Sequence, residues 1–241
     1  MSPSPNRFLQ SLNRGDFAVL RPHLRDVELV HSAILFDVGH EIERIYFPSA
    51  GVVSLVVVLT TGEIIEAGMI GPDGVVGTSA ALHGGIALYR AVVQIQGTAS
   101  YIDATSARAA VTTSKSLRLK LYEQDQLLLA QAQQSAACNA THNIEERLCR
   151  WLLRTRDLVG GDVFALTQEL MAQMLGVRRT GVTLAAHHLQ KIGLIEYQRG
   201  QVRILDAEGL QEAACECHGA FKDLAARLLA GAPTPRLSLV P

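Results

Sequence analysis

Between Leu166 and Leu205 the chain runs through two helical periodicities, a glycine break and an alternating ribbon pattern, and few folds accept that order. Leu166, Leu170, Met171, Met174 and Leu175 recur at helical spacing, so one face of a short helix is apolar. Thr167 can cap its start, and Glu169 puts a carboxylate in the first turn, where negative charge is favoured. Gly176 can take the positive φ that a sharp interhelical turn needs, and Ala172 lets a second helix cross closely. In that second helix Val182, Ala185, Ala186, Leu189 and Ile192 form one stripe, with Gly193 as the stop. Residues 195–205 alternate about Arg199-Gly200 as a hairpin does. Two helices at a tight turn followed by a two-stranded ribbon read as a winged helix-turn-helix.

The second helix of such a unit enters the DNA major groove and reads bases from its N-terminal outward face. That face holds Thr180, Thr183, Leu184, His187 and Lys191, with Arg179 flanking its start. Arg179 suits a bidentate contact to guanine, and Thr180, Thr183 or Leu184 could meet a thymine methyl. Arg178 falls at the N-cap, where Ser, Thr, Asn or Asp is preferred; a phosphate contact would account for it. Arg199 sits at the tip of the wing. An ordinary helical hairpin followed by a β-hairpin is the alternative; the position-by-position spacing together with the wing favours the DNA-binding reading, and the charge distribution supports it. Residues 1–142 carry 10 Lys+Arg against 12 Asp+Glu, residues 143–205 carry 9 against 6, and residues 206–241 carry 3 against 5. A chain of net charge −1 thus concentrates its positive charge where phosphate binding needs it.

Its 241 residues allow one or two domains, and 48% hydrophobic content allows a sizeable core. The longest apolar run, Val52–Leu59, is interrupted by Ser54 and is far too short to span a membrane. No signal peptide is recognisable, Ser2 to Pro5 reads as a disordered start, and four cysteines without an N-terminal framework suit a reducing cytoplasm. Residues 27–102 are rich in β-branched residues and glycine. They read as short strands separated by turns at Gly39, Pro48, Gly51, Gly62, residues 71–74 and Gly84-Gly85, a pattern that suggests a sandwich or small jelly roll.

Here a resemblance becomes specific. Gly39, then Tyr46-Phe47-Pro48-Ser49-Ala50-Gly51-Val52, then Gly62-Glu63-Ile64-Ile65, then Gly71 to Gly77, is similar to the cyclic-nucleotide-binding domain of the Crp-Fnr superfamily. That superfamily couples such a domain, through a long dimerisation helix, to a winged helix-turn-helix, and the similarity covers roughly residues 20–205. Ile204-Leu205-Asp206 with Cys215-Glu216-Cys217 resembles a branch of it common in soil proteobacteria. The resemblance implies a homodimer on double-stranded operator DNA, an RNA polymerase partner, and an unknown small-molecule or redox effector acting through the β domain.

Departures from the family pattern carry expectations too. Members that bind cyclic AMP place a Glu after the last strand glycine and an Arg-Ser pair on the phosphate; the matching positions here are Thr78, Leu88 and Tyr89. Arg90 is the nearest cation, two residues from Leu88. These four residues define the candidate effector pocket, and cyclic nucleotides are not expected to fill it. In the family's familiar DNA readers a Glu follows the guanine-contacting Arg and a second Arg lies four residues further; here those positions are Thr180 and Leu184, so a different half-site is expected. Iron–sulfur members carry an N-terminal Cys cluster, whereas the first Cys here is Cys138. There is no H-x-H pair, and Cys215 and Cys217 lack both C-x-x-C spacing and a second Cys pair close in sequence. No metal, cofactor or catalytic residue is therefore expected.

From about Ser114 to Thr141 no Gly or Pro occurs, and one long helix is expected. Leu117, Leu121, Gln124, Leu128, Gln131, Ser135, Cys138 and His142 follow 4,3 spacing, which is a coiled-coil seam. Packing of Leu117–Leu128 on the β domain would explain its apolar start. The resemblance instead makes Leu117, Leu121, Leu128, Gln131, Ser135 and Cys138 the dimer interface, with Cys138 facing its symmetry mate. Asn143 and Glu146 form a capping-box pattern, which starts a new helix and puts a hinge at His142-Asn143. The expected architecture is α+β: an N-terminal segment (1–19), a jelly-roll β domain (20–113), a dimerisation helix (114–142), a winged helix-turn-helix domain with a C-terminal helix (143–230) and a flexible tail (231–241). A cytoplasmic DNA-binding transcriptional regulator is the leading reading. A sensory module without DNA activity and a cupin-like enzyme are the alternatives; DNA binding separates the first from both.

Overall fold

The computed structural model describes residues 6–230; the disordered start and the flexible tail expected from the sequence lie outside them. The fold class is the expected one, α+β with an antiparallel β domain, a long helix and a C-terminal winged helix-turn-helix. Strands β1 (Arg25–Leu29), β2 (Ile34–Phe36), β3 (Arg44–Val58), β4 (Ile64–Ile70) and β5 (Arg90–Asp103) form one sheet in the order β1-β5-β3-β4, with β2 also on β5. Two of these strands are much longer than the sequence suggested. Pro48 and Gly51 do not end strands; both lie inside β3, where the pairing with β5 shifts register between Pro48 and Val53. A bulge tolerates a proline that cannot donate to the ladder. Gly51 has φ 86°, and a Cβ there would stand 2.6 Å from the Ile95 carbonyl oxygen, so the bend needs glycine on both counts.

Residues expected to precede the β domain are part of it. Helices α1 (Arg7–Ser11) and α2 (Arg14–Leu20) place Phe8, Leu9 and Leu20 in its core, and the Asn6 amide donates to the carbonyls of Pro48 and Gly74 at 2.9 Å each. After a short α3 (Ser79–Leu82), β5 leads into α4 (Ala104–Thr113) and then α5 (Lys115–Thr141), which Ser114 caps through the Leu117 amide. The chain turns at His142, and Asn143 and Glu146 close a complete capping box at the head of α6 (Ile144–Val159). Strand β6 (Val163–Ala165) precedes α7 (Gln168–Leu175) and α8 (Arg179–Lys191); β7 (Ile195–Gln198) and β8 (Gln201–Ile204) make the wing, in a three-stranded sheet ordered β6-β8-β7. Helices α9 (Ala207–Ala213) and α10 (Cys217–Ala230) follow. No helix among the described residues is long and apolar enough to cross a membrane.

One apolar core runs from the β sheet into the C-terminal half: Val52, Val56 and Met69 of β3 and β4 cluster with Trp151, Leu152, Met171 and Leu189. Polar groups fix the contact. The Trp151 indole N–H donates to Glu66 at 2.9 Å, and Ser54 Oγ lies 2.6 Å from the other carboxyl oxygen and also contacts Gln94. Arg154 of α6 pairs with Asp73 at 2.7 Å. Burial pushes the Glu66 carboxyl up to about 7, against the lowering effect of the Ser54 and Trp151 hydrogen bonds.

A pH dependence follows from Glu66. Its folded value lies above the reference value of 4.5, so protonated Glu66 favours the docked fold. Its contribution is complete below pH 4.5 and is lost as the pH rises through about 7, an effect on the order of 3 kcal/mol. Glu66→Gln preserves a neutral hydrogen-bonding side chain and should flatten this slope. Urea denaturation of both proteins at pH about 5.5 and about 8 checks it; equal pH slopes for the two would refute the assignment.

Candidate nucleic-acid interface

The helix-turn-helix forms for the reasons its sequence carries. Thr167 accepts a hydrogen bond from the Leu170 amide at 3.1 Å, and Gly176 stands in the left-handed conformation at φ 62°. Met171, Ala172, Met174, Leu175, Val182, Ala185, Ala186 and Leu189 are buried between α7, α8 and α6. Ile192 is the exception to the expected stripe: it is the residue after α8 and is 50% exposed, because the helix ends before it can turn inward. Gln190 Oε1 accepts from the Tyr197 amide at 2.8 Å and so ties the end of α8 to the wing.

On the outer side, Arg178, Arg179, Thr180, Thr183, Leu184, His187 and Lys191 are all exposed, and Arg199 is exposed at the wing. Leu184 stands out at 73% exposure, an isolated aliphatic side chain with no intramolecular role. Among the described residues Arg178, Arg179, Lys191 and Arg199 enter no ion pair, whereas Arg203 is held by Glu196 at 3.3 Å and His188 by Glu145 at 2.8 Å. Arg178 is the N-cap residue and supplies no side-chain cap, and the Gly181 amide bonds to its carbonyl at 2.9 Å. The Thr183 hydroxyl is within bonding distance of Gln168 Oε1 (2.8 Å) and the Arg179 carbonyl (3.0 Å). Its proton is therefore committed within the chain. Gln168, at the start of α7, was not singled out from the sequence; only its contact across the turn reveals it. The wing turn has φ 51° at Arg199 and 74° at Gly200, the two positive values of a type I′ hairpin. Arg in that conformation is strained.

The four sensor-domain positions do not form a common phosphate site, which corrects the expectation: Thr78 and Tyr89 both lie near Asp125 of α5, while Leu88 faces solvent and Arg90 is held by Asp37. Thr78 is buried, with its hydroxyl bonded to Asp125 of α5. Leu88 is 84% exposed. Tyr89 is half-buried against Phe36, with ring centroids 5.6 Å apart, and burial pushes its phenol up. Arg90 is gripped by Asp37 through Nε at 2.9 Å and Nη2 at 2.7 Å. This grip holds the Asp37 carboxyl below its ordinary range, and the cation is not available to a phosphate. Two cavities lie elsewhere. One, of about 460 Å³, is bordered by Asp73, Lys120, Gln131, Arg154 and Phe221. The other, of about 750 Å³, separates Ser54, Val92 and Gln94 of the sheet from Phe164, Leu170 and Gln173 beside the helix-turn-helix.

The seam on α5 is also corrected. Leu117, Leu121, Gln131, Ser135 and Cys138 are buried within the same chain, and Leu128 packs on the β-domain core. Gln131 accepts from the Met69 amide at 2.9 Å, and Cys138 Sγ lies 3.5 Å from Cys215 Sγ. Side chains already covered by their own chain cannot also meet a partner, so Cys138 does not face a symmetry mate. A second 3,4 pattern, Leu119, Tyr122, Gln126, Leu129, Gln133, Ala136 and Ala140, occupies the outer side of α5.

Residues 146–213 match the family model for the Crp-like helix-turn-helix domain. Among solved structures the chain is similar to FixK2 from Bradyrhizobium japonicum, with a TM-score of 0.69 at 18% identity over 80% of this chain and 98% of that one. It is similar as well to TTHA1359, a transcriptional regulator of the CRP/FNR family from Thermus thermophilus (0.64, 23%, 79% and 98%). A third, CLP of Xanthomonas campestris, is described as a c-di-GMP-responsive global regulator (0.64, 16%, 80% and 99%). A search of curated protein sequences gives no significant match. The chain thus carries a Crp-like helix-turn-helix domain within the fold of Crp/Fnr-family transcriptional regulators.

Loss of the phosphate partners has a direct consequence. Burying a phosphate without a cation is costly, and Asp37 already neutralises Arg90. Calorimetry with cyclic AMP or cyclic GMP should show no saturable heat in the micromolar range. Saturable binding abolished by Arg90→Ala would show that the Asp37 pair opens to admit the nucleotide.

Proposed function

We propose that the protein is a homodimeric, sequence-specific DNA-binding transcriptional regulator whose β domain passes an input to the helix-turn-helix. The observation that carries this reading is the outer face of α8 and the wing: four cations without ion-pair partners among the described residues, at the positions that meet backbone and bases when α8 lies in the major groove. In this reading Arg179 reads a guanine, Thr180, Thr183 and Leu184 meet thymine methyls, and Arg178, Lys191 and Arg199 meet phosphates, with His187 alongside. Four charged contacts from one helix and its wing are too few for tight binding, so a pair of recognition helices on a two-fold site is the natural arrangement.

The outer 3,4 pattern of α5 supports a dimer along that side of the helix. Leu119 is 52% and Leu129 50% exposed, and no described part of the chain covers them. An input is supported by the cavity between sheet and helix-turn-helix: a molecule there touches both halves, and so can bind two arrangements of them with different affinity.

Selection of operators from random DNA by the purified protein tests the reading as a whole; uniform recovery of sequences at moderate salt would reject it. On a selected operator, Arg179→Ala should cost about 1–3 kcal/mol and relax preference at one base position. An equal loss on random DNA would make Arg179 a phosphate contact instead.

For the dimer, Leu129→Glu sets two like charges across the two-fold axis and should give folded monomers by sedimentation, with operator affinity falling far more than one contact explains. Leu121→Ala should leave the dimer intact but cost about 2–5 kcal/mol of stability, since Leu121 is a core residue. A Leu129→Glu protein that stays dimeric at micromolar concentration would place the interface elsewhere.

A further inference from the structure

We propose that Cys138, His142, Cys215 and Cys217 form a zinc site that clamps the start of α10 to the end of α5. The sequence places two of these residues one helical turn apart at the end of α5 and the other two at the N-terminus of α10, more than seventy positions later. Folding brings the four ligand atoms within 4.8 Å of one another. Cys138 Sγ and Cys215 Sγ are 3.5 Å apart, and Cys217 Sγ is 3.6 Å from His142 Nδ1. A tetrahedral zinc with Zn–S of about 2.3 Å and Zn–N of about 2.0–2.1 Å requires edges of about 3.8 Å between sulfurs and about 3.6 Å between sulfur and nitrogen. Two edges of that tetrahedron are already close to these lengths, and small side-chain shifts complete the others. Three thiolates with one imidazole form a closed structural zinc set, and the soft sulfur donors disfavour calcium, magnesium and manganese.

The surroundings point the same way. His142 Nε2 lies 3.2 Å from the Glu216 carboxylate, which orients the ring and leaves the Nδ1 lone pair directed at the cluster. Such a carboxylate–histidine pairing is the usual outer support of a metal-bound histidine. Thr141 Oγ1 approaches the same Nδ1 at 3.3 Å, but its proton is donated to the Ala137 carbonyl at 2.8 Å. Arg147 of α6 supplies the counter-charge. It is only 7% exposed, its Nε has no hydrogen-bond partner, and it is near enough to Cys138 and Cys215 to interact with their charge. Zinc with three thiolates and a neutral imidazole carries one net negative charge, which a buried guanidinium balances. On binding, three thiols release three protons to solvent, zinc exchanges its waters for three Zn–S bonds and one Zn–N bond, and no electron is transferred. A Cys138–Cys215 disulfide is the competing outcome; it would use two of the four groups and leave Cys217, His142 and the Glu216 support without a purpose.

The test uses the full-length chain and does not depend on DNA binding. Protein purified under reducing conditions should contain one zinc per chain. After chelator treatment, titration with cobalt(II) should saturate at one equivalent, with thiolate-to-cobalt charge transfer and the intense visible bands of a tetrahedral site, and zinc should displace them. Cys138→Ser and Cys217→Ser should each weaken cobalt binding and reduce the charge-transfer intensity by about a third or more. Cys149→Ser, a buried thiol outside the cluster, should retain it. Glu216→Gln alters an exposed side chain outside the core, so its fold is secure; it should weaken zinc binding roughly tenfold. Reduced, folded wild-type protein that takes up no cobalt, cobalt affinity and charge-transfer intensity that stay undiminished in both Cys138→Ser and Cys217→Ser, or an unchanged zinc affinity in Glu216→Gln would each overturn the site.

Discussion

The hydrogen bond from Trp151 to Glu66 is the constraint around which the two halves of the molecule are arranged. A fully buried indole N–H must find an acceptor, and a fully buried carboxyl must find donors or remain protonated. Each solves the other's problem only if α6 lies against β4 in one register. Around this point the apolar groups close: Met69 and Val56 from the sheet, Leu152 and Met171 from the C-terminal half. The turn of the helix-turn-helix sits on the same sheet, since a Cβ on Gly176 would stand 3.2 Å from Ile65. The orientation of α8 is therefore set by packing against the β domain rather than by a free linker.

Local structure in the helix-turn-helix half was legible because each signal there acts over a few residues. Thr167, Gly176, the apolar stripe of α8 and the Arg199-Gly200 turn all operate within their own element, and the structure has them as read. Ile192 was misread by a single position, where periodicity continued past the real helix end. The β domain was less legible for the opposite reason. Pro48 and Gly51 are punctuation in sequence, yet a long strand can bend through a bulge and continue, and only the partner strand decides which happens.

Helix α5 shows a different limit. It has two 3,4 patterns, and spacing cannot say which faces outward. The stronger one, starting at Leu117, is consumed inside the chain by the β-domain core, the Met69 amide and α10. The weaker one, running through Leu119 and Leu129, is left on the outside. Hydrophobic strength identified the side that folds the monomer, and the side suited to a partner is necessarily the less apolar, since it must tolerate water before assembly. The Cys/His cluster was hidden for a related reason: Cys215-x-Cys217 has no nearby second pair in sequence, and its complement comes from α5.

These attachments together decide how a signal can travel. The C-terminal half is anchored to the rest at Glu66–Trp151, at Arg154–Asp73 and at the cluster joining α5 to α10. Arg147 links the last of these to the helix-turn-helix directly, because its guanidinium donates to the carbonyl of Leu175, the residue before the helix-turn-helix glycine. Three anchors around α6 resist local flexing. In the proposed dimer, a change at any one of them would shift α6, α7 and α8 together and so alter the spacing of the two recognition helices on one operator. A protonation at Glu66 and an ion at the cysteine cluster would thus act on the same moving body from opposite ends, and each would be felt at the other through the position of α6.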